Sequence, residues 1–221
     1  DTRGRAIDLT ADGSGSTLNV SSLTTYTDVY AGATSSDPLY STVTAKNSGA
    51  IRSGALTTLQ GVHVVLNGTG TLGLAGIQAS TLGQFTLSGA GASYSLPALN
   101  NLDGSTVLVS GGATASFPAL TNFTNDAGGL NNQTRTWQAS GTGSVLDLRN
   151  VQTITNGLSY YTQLDVNAMA GGVVDLRGLT QISDPSGGDT RGRAIDLTAD
   201  GSGSTLHVSS LTAYTDVYAG A

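Results

Sequence analysis

No cysteine occurs among the 221 residues, and histidine appears twice, at His63 and His207. Such a chain forms no disulfide, offers no thiolate nucleophile and lacks the ligands of a cysteine- or histidine-rich zinc site. Charge is scarce as well: 11% of residues are charged, nine basic against fifteen acidic, for a net charge of −6. The few basic side chains are scattered, which excludes the electrostatic footprint of a nucleic-acid binder. There is no run of about 18 apolar residues, so no membrane insertion is expected. The opening residues contain no basic segment leading into an apolar core, and any secretion signal is expected to lie outside this sequence. Low charge, no cysteine and abundant Ser, Thr, Gly and Asn suit exported repeat proteins, so an extracellular or cell-surface location is expected.

Glycine, in contrast, is plentiful at 31 residues, which disfavours helices and favours strands joined by tight turns. Repetition is the main signal. Residues 1–33 return as residues 189–221 with two differences, Asn19 becoming His207 and Thr25 becoming Ala213. An engineered duplication would be identical, so the chain reads as one natural repeat unit, residues 1–188, followed by the start of a near-identical unit, residues 189–221.

A shorter pattern runs within the unit, apolar-x-apolar-x-x-apolar-x-x-apolar after a Gly/Ser/Thr-rich turn. It begins as Leu18, Val20, Leu23, Tyr26, and is weaker at Ile51, Ser53, Leu56, Leu59. It continues through Leu72, Leu74, Ile77; Tyr94, Leu96, Leu99, Leu102; Ala115, Phe117, Leu120, Phe123; Leu146, Leu148, Val151, Ile154; and Val174, Leu176, Leu179, Ile182. Leu206, Val208, Leu211 and Tyr214 restart the cycle. A second apolar pair follows each copy and ends in a small polar residue, as in Val64-x-Leu66-Asn67-Gly68 and Phe85-x-Leu87-Ser88-Gly89.

Alternation with period two on several short segments per cycle predicts strands that share one narrow core. The fold class expected is all-β, a right-handed parallel β-helix with about seven coils per unit. With about 4.8 Å between stacked strands, one unit would advance roughly 34 Å. The main rival, a leucine-rich repeat, wants a buried Asn or Cys five residues after the first Leu, where this chain has Leu23, Ile77, Leu99, Leu120, Val151 and Leu179.

Runs such as Gly143–Val151 and Gly171–Leu179 resemble the repetitive parallel β-helix stalks of bacterial surface adhesins and giant secreted proteins. The resemblance spans the chain but is one of pattern. It implies an extracellular, elongated, adhesive or structural role and carries no site residue across.

Four segments interrupt the pattern at one corner: Thr27 to Thr42, Thr124 to Thr136, Thr155 to Gln163 and Ser183 to Ala194. They concentrate aromatic and charged residues, including Asp37, Asp126, Asp184 and Asp189. From them come the candidate interaction residues Tyr30, Tyr40, Arg135, Tyr160, Tyr161, Arg191 and Arg193. Two readings stay open: a patch for a surface glycan, a surface protein or a neighbouring copy of the chain, or loops that merely pack on one another. Asp8 and Asp12, repeated as Asp196 and Asp200, give a weak calcium likeness. It fails at Thr10 and Asn19, where an EF-hand wants a ligand and a bidentate Glu, and turn aspartates explain the residues more simply. No other cofactor is implied.

Asp165 with Asp196, and Asp147 with Asp175, are expected to stack outward on adjacent coils, offset by Arg149 and Arg177. Paired carboxylates on a β-helix also raise a polysaccharide-degrading enzyme. Threonine rows raise ice binding, though Gln78, Asn100 and Gln152 break them. Asn67, Ser88, Ser110, Ser140, Asn167 and Thr198 are expected to form a polar ladder at the strand ends. The expected partners are further copies in tandem, with no catalytic residue assigned.

Overall fold

A residue pair separated by three positions closes the tightest turn of each coil. The amide of Leu23 donates to the carbonyl of Val20, Leu56 to Ser53, Ile77 to Leu74, Leu99 to Leu96, Leu120 to Phe117, Val151 to Leu148, Leu179 to Leu176 and Leu211 to Val208. These β-turns are the x-x spacers of the sequence pattern. Pro97 and Pro118 occupy the second position of two of them, where their fixed φ is already suitable. On either side of the turn a strand points its apolar side chains inward.

The computed structural model describes residues 6–29, 40–126 and 128–217. All its regular elements are strands, and all pair in parallel as a β-solenoid of about seven turns. Each coil contributes to three faces. The longest face is an eight-stranded sheet of Asp8–Asp12, Thr42–Lys46, His63–Leu66, Gln84–Ser88, Thr106–Ser110, Gln133–Ser140, Thr162–Met169 and Ala194–Asp200. The second face divides into sheets of three and five strands between Thr71–Leu72 and Ser93–Ser95, and the third into sheets of three and four. An isolated bridge from Ala79 to Asn101 spans the gap in the third.

Register confirms the apolar pattern. Leu18 lies opposite Ile51, and Ile51 opposite Leu72. Beyond the gap Tyr94, Ala115, Leu146, Val174 and Leu206 align in turn. Inside, Trp137, Phe85, Phe117 and Phe123 are fully buried, with Phe123 and Trp137 ring centroids 4.3 Å apart. The indole N–H of Trp137 donates to the carbonyl of Ser105 at 3.2 Å, so the largest core side chain leaves no polar group unpaired.

The corner after the longest face needs left-handed backbone, supplied mostly by glycine. Gly89, at φ 122°, shows the constraint clearly: a Cβ there would lie 2.7 Å from the Cα of Gly68 one coil below. Where glycine is missing, Asn47, Ser48 and Ala170 adopt positive φ instead, at a cost of about 1 kcal/mol or more each.

One expectation about register is corrected. The inward pair of the seventh coil is Val166 and Ala168, opposite Trp137 and Ala139, and the eighth follows with Leu197 and Ala199. Leu164 and Ile195 belong one step earlier, in line with Arg135. Ser88, Ser110 and Ser140 do align, but the next residues in their row are Met169 and Asp200; Asn167 and Thr198 sit two residues before the corner. A hydrogen-bonded ladder is present at the other end of this row. Asn47 Nδ2 donates to Asp12 Oδ1 at 2.8 Å, and Asn67 Nδ2 to Asn47 Oδ1 at 3.3 Å.

Candidate functional site

The insert-bearing corner is built on a position the apolar pattern does not cover. Two residues after the last inward side chain of each coil, which is Leu59, Ser80 or Leu102, the short-cornered coils carry Gly61, Leu82 and Gly104, all at positive φ. This conformation turns the chain at once into the next coil. The coils with inserts carry Asp28, Asn125, Asn156, Asp184 and Asp216 at the same position.

The strands of all but the Asp28 coil continue through this residue, and the polar side chain then organises the loop. Asn125 and Asn156 are buried and stacked, with Asn125 Nδ2 donating to Asn156 Oδ1 at 3.0 Å. Asn156 Nδ2 lies 3.2 Å from the carbonyl of Thr162, 3.3 Å from Asp184 Oδ2 and 3.3 Å from the carbonyl of Ala194, while its Oδ1 accepts from the amide of Gly157.

Arg193 completes this network from within the structure. Its side chain is 1% exposed and lies 3.0 Å from Asp184 Oδ1. It also donates to the carbonyls of Gly157 at 2.9 Å and Gly187 at 3.0 Å, and to that of Pro185. Burial pushes the Asp184 carboxyl up from its ordinary pKa, opposed by the Asn156 hydrogen bond and the Arg193 charge. Arg193 therefore latches two inserts together with its guanidinium directed inward, the loop-packing alternative of the sequence reading.

Arg135 is likewise directed at backbone. It lies on the strand Gln133–Ser140, with Nε donating to the carbonyl of Gly104 and Nη1 to Gln133 Oε1 at 3.1 Å. Burial lowers its pKa from the ordinary value. The segments read as inserts are thus partly strand, since Gln133 pairs with Thr162 and Thr134 with Gln163.

Of the tyrosines in the last inserts, Tyr161 is exposed and Tyr160 is half-buried. Tyr160 and Tyr161 meet edge to face at 4.8 Å, and the Arg191 guanidinium lies 4.9 Å from the Tyr160 ring centroid. Arg191 also pairs with Asp189 at 2.6 Å and holds that carboxyl down to about 2. The Tyr161 ring lies directly on Gly192, where a Cβ would be 2.4 Å from ring atoms. Leu158, Tyr161 and Arg191 are exposed and Tyr160 is half-buried, so this ridge offers a cation, one full aromatic ring and an aliphatic side chain to solvent.

The structure brings Tyr160, Tyr161, Arg191 and Arg193 together on adjacent inserts. Tyr40 sits away from them, stacked on the His63 ring at 4.1 Å beside a coil without an insert. Burial, with the Arg135 charge, holds His63 below its usual pKa. Tyr30 and Asp37 lie outside the described residues.

The acidic candidates have structural partners. Asp8 Oδ1 accepts from the amide of Thr42 at 3.1 Å and its hydroxyl at 2.8 Å, and Asp12 pairs with Lys46 at 3.4 Å. Among the described residues no group of three or more His, Asp or Glu is arranged to hold a metal ion. Asp147 and Asp175 stack in the expected register, joined to Arg149 and Arg177 at 2.8 and 2.7 Å, but Asp175 is buried beneath the arginines and does not face solvent. Asp165 is opposite Asp196; burial, and secondarily the Asp196 charge, raise its pKa. Sequence reasoning missed Asn125 and Asn156, although extending the period-two alternation by one inward residue would have found them.

No protein-family model, curated protein or solved structure matches this chain.

Proposed function

We propose that the chain is a non-enzymatic, extracellular structural repeat, which by joining further units in tandem makes an elongated stalk or filament at a cell surface. The observation that carries this reading is the way residues 194–217 sit on the seventh coil. They pair in parallel register on all three faces, as the fifth, sixth and seventh coils pair with one another within the unit. A solenoid that crosses a unit boundary this way needs no linker, and its stability is a sum of coil and interface terms. The adhesin-stalk resemblance of the sequence points to the same role.

A second reading has its own support. The surface ridge of half-buried Tyr160 with exposed Tyr161 and Arg191 has the chemistry of a carbohydrate-stacking or protein-binding patch, repeated once per unit for avidity.

Electron microscopy of the native material tests the first reading, which expects rods with an axial period of roughly 34 Å. Separate globular particles would contradict it. For the second, replacing Tyr160 and Tyr161 by Ala should abolish glycan or cell-surface binding with the β-sheet circular dichroism unchanged. Undiminished binding would remove the ridge from consideration.

A further inference from the structure

The inward row of the second face is open to solvent at one place inside the unit, between the third and fourth coils. Among the described residues, the partly buried apolar side chains packed on the core lie in the first and eighth coils, with two exceptions, Leu72 and Ala92. Leu72 is only partly buried although Ile51 below it and Tyr94 above it in the row are buried. The cause is a missing ladder. At the start of this face the amide of Thr71 donates to the carbonyl of Gly49 and that of Thr114 to Ala92, each one coil below. Among the described residues no backbone hydrogen bond joins Thr71–Leu72 to Ser93–Ser95. Main-chain N–H and C=O groups of both strands therefore face the gap unpaired.

A cleft of about 480 Å³ opens there, a size suited to a small ligand. It extends from the exposed Ser93 and Ser95 to the buried Leu66 and Tyr94, and none of the described residues that line it is charged. Three glycines line it as well, and the fold accounts for two. Gly68 turns at φ 89°, and a Cβ on Gly70 would lie 2.0 Å from the carbonyl oxygen of Ala45. Gly73 has no such reason. Its φ is not left-handed and its Cβ would meet nothing closer than 3.4 Å, so the chain has room for a side chain that is not there. Glycine in such a place lets a ligand or another backbone come close.

Both ends of the cleft are shut. At one end the coils touch, with a Cβ on Gly68 only 3.0 Å from the Cα of Gly89, and at the other the amide of Asn100 donates to the carbonyl of Gln78 at 3.0 Å. An added β-strand would have to run past both closures, whereas a compact ring fits between them. Free N–H and C=O groups side by side, with the hydroxyls of Thr71, Ser93 and Ser95, suit a ligand whose groups both donate and accept. An ion would enter without a counter-charge, at a high desolvation cost. We propose that the cleft is a binding site for a neutral sugar, either a free saccharide or the terminal residue of a glycan. Its hydroxyls take up the unpaired main-chain groups, its C–H face rests on Leu72, and Gly73 leaves room for the ring. The site lies within the unit and away from the Tyr161 ridge, so it stands or falls separately from both roles proposed above.

The full chain is tested by saturation-transfer NMR against glucose, galactose, mannose and N-acetylglucosamine, and on an array of neutral glycans. Binding of a free sugar marks a soluble ligand, and binding on the array alone marks the end of a larger glycan. In either case the bound sugar should slow hydrogen exchange of the Leu72, Ser93 and Ser95 amides.

Gly73→Val and Ser95→Tyr each add bulk at the cleft, the first where a Cβ has room and the second at an exposed position. Each should weaken binding roughly tenfold or more with the β-sheet circular dichroism unchanged; should Gly73→Val disturb the fold, Ser95→Tyr decides alone. A Y160A/Y161A chain should keep the sugar-dependent protection of the three amides. The proposal is overturned if neither arm binds, if no bound sugar slows those amides, or if both cleft variants bind like the parent. Uptake of a blocked Thr-Val hexapeptide in place of any sugar also overturns it, because the gap would then hold a strand.

Discussion

The short-cornered coils and the insert-bearing coils have the same apolar scaffold and differ at one inward position. With Gly61, Leu82 or Gly104 there, a left-handed residue closes the corner within one step. With Asn125, Asn156 or Asp184 there, the strand runs on and a buried polar row supports a loop, locked by Arg193. A single choice of backbone conformation therefore decides whether a coil is smooth or carries surface chemistry. Elaboration on this solenoid places polar groups inside it, and these are held largely by one another and by backbone carbonyls, with Asn125 Oδ1 left unpaired.

The largest expected effect comes from breaking the lock. Replacing Arg193 by Met leaves Asp184 beside an apolar side chain and should cost about 3 kcal/mol, seen in denaturant unfolding as an earlier transition. Replacing Arg191 by Met is the contrast. That ion pair is on the surface and screened by solvent, and its loss should leave the unfolding transition close to the parent's. Equal effects from the two substitutions would mean that Arg193 is no latch.

The smooth corners break differently. At Gly104, φ is 64° and a Cβ would lie 2.1 Å from the carbonyl oxygen of Asp126. Gly104→Ala should therefore cost about 2 kcal/mol or more. A melting temperature unchanged from the parent would show that this corner does not need its left-handed residue.

A smaller effect separates two carboxylates of the insert-bearing half by pH. The Asp165 pKa is raised in the folded protein, so the native state binds more protons than the unfolded chain just above the ordinary aspartate value. Its contribution to stability therefore falls as pH rises through that window. Asp165→Asn should stabilise the protein at neutral pH by about 0.2–1 kcal/mol, and the gain should vanish once pH falls below the ordinary value.

Asp189 has the opposite sign. Held down to about 2 by Arg191, it contributes above the ordinary aspartate value and loses that contribution as pH falls toward 2. Thermal melts of the parent, D165N and D189N chains across acid pH separate the two carboxylates. The smallest change is expected from Tyr160→Ala, under about 0.5 kcal/mol in stability.

The sequence made the second and third faces legible because every apolar position there meets one narrow core, and a turn of fixed length separates the strands. Leu148 and Val151 are three residues apart for the same reason in every coil. The longest face was harder to read in its last two coils. Leu164, Val166 and Ala168 all point inward, and a slip of two residues keeps every side chain on its own face, so alternation alone could not choose the register. The extra strand residues opposite Gln133 to Arg135 resolve it.

The site was half legible. Tyr160, Tyr161 and Arg191 were found by counting aromatic and charged residues in the inserts. The same count included Arg135 and Arg193, whose charges are directed inward at backbone carbonyls. Composition does not distinguish an arginine that displays its charge from one that buries it.

The central claim is that the solenoid runs unbroken from residue 188 into the repeated coil. Amide hydrogen exchange across that boundary tests it most directly. Leu176 donates to the carbonyl of His207 at 2.9 Å and Thr205 to that of Gly172 at 3.0 Å. Their amides, with those of the strand Ala194–Asp200 that face Thr162–Met169, should be protected to an extent comparable with pairs inside the unit. Exchange of residues 194–207 at the rate of an unstructured chain, while Thr162–Met169 stays protected, would contradict the account.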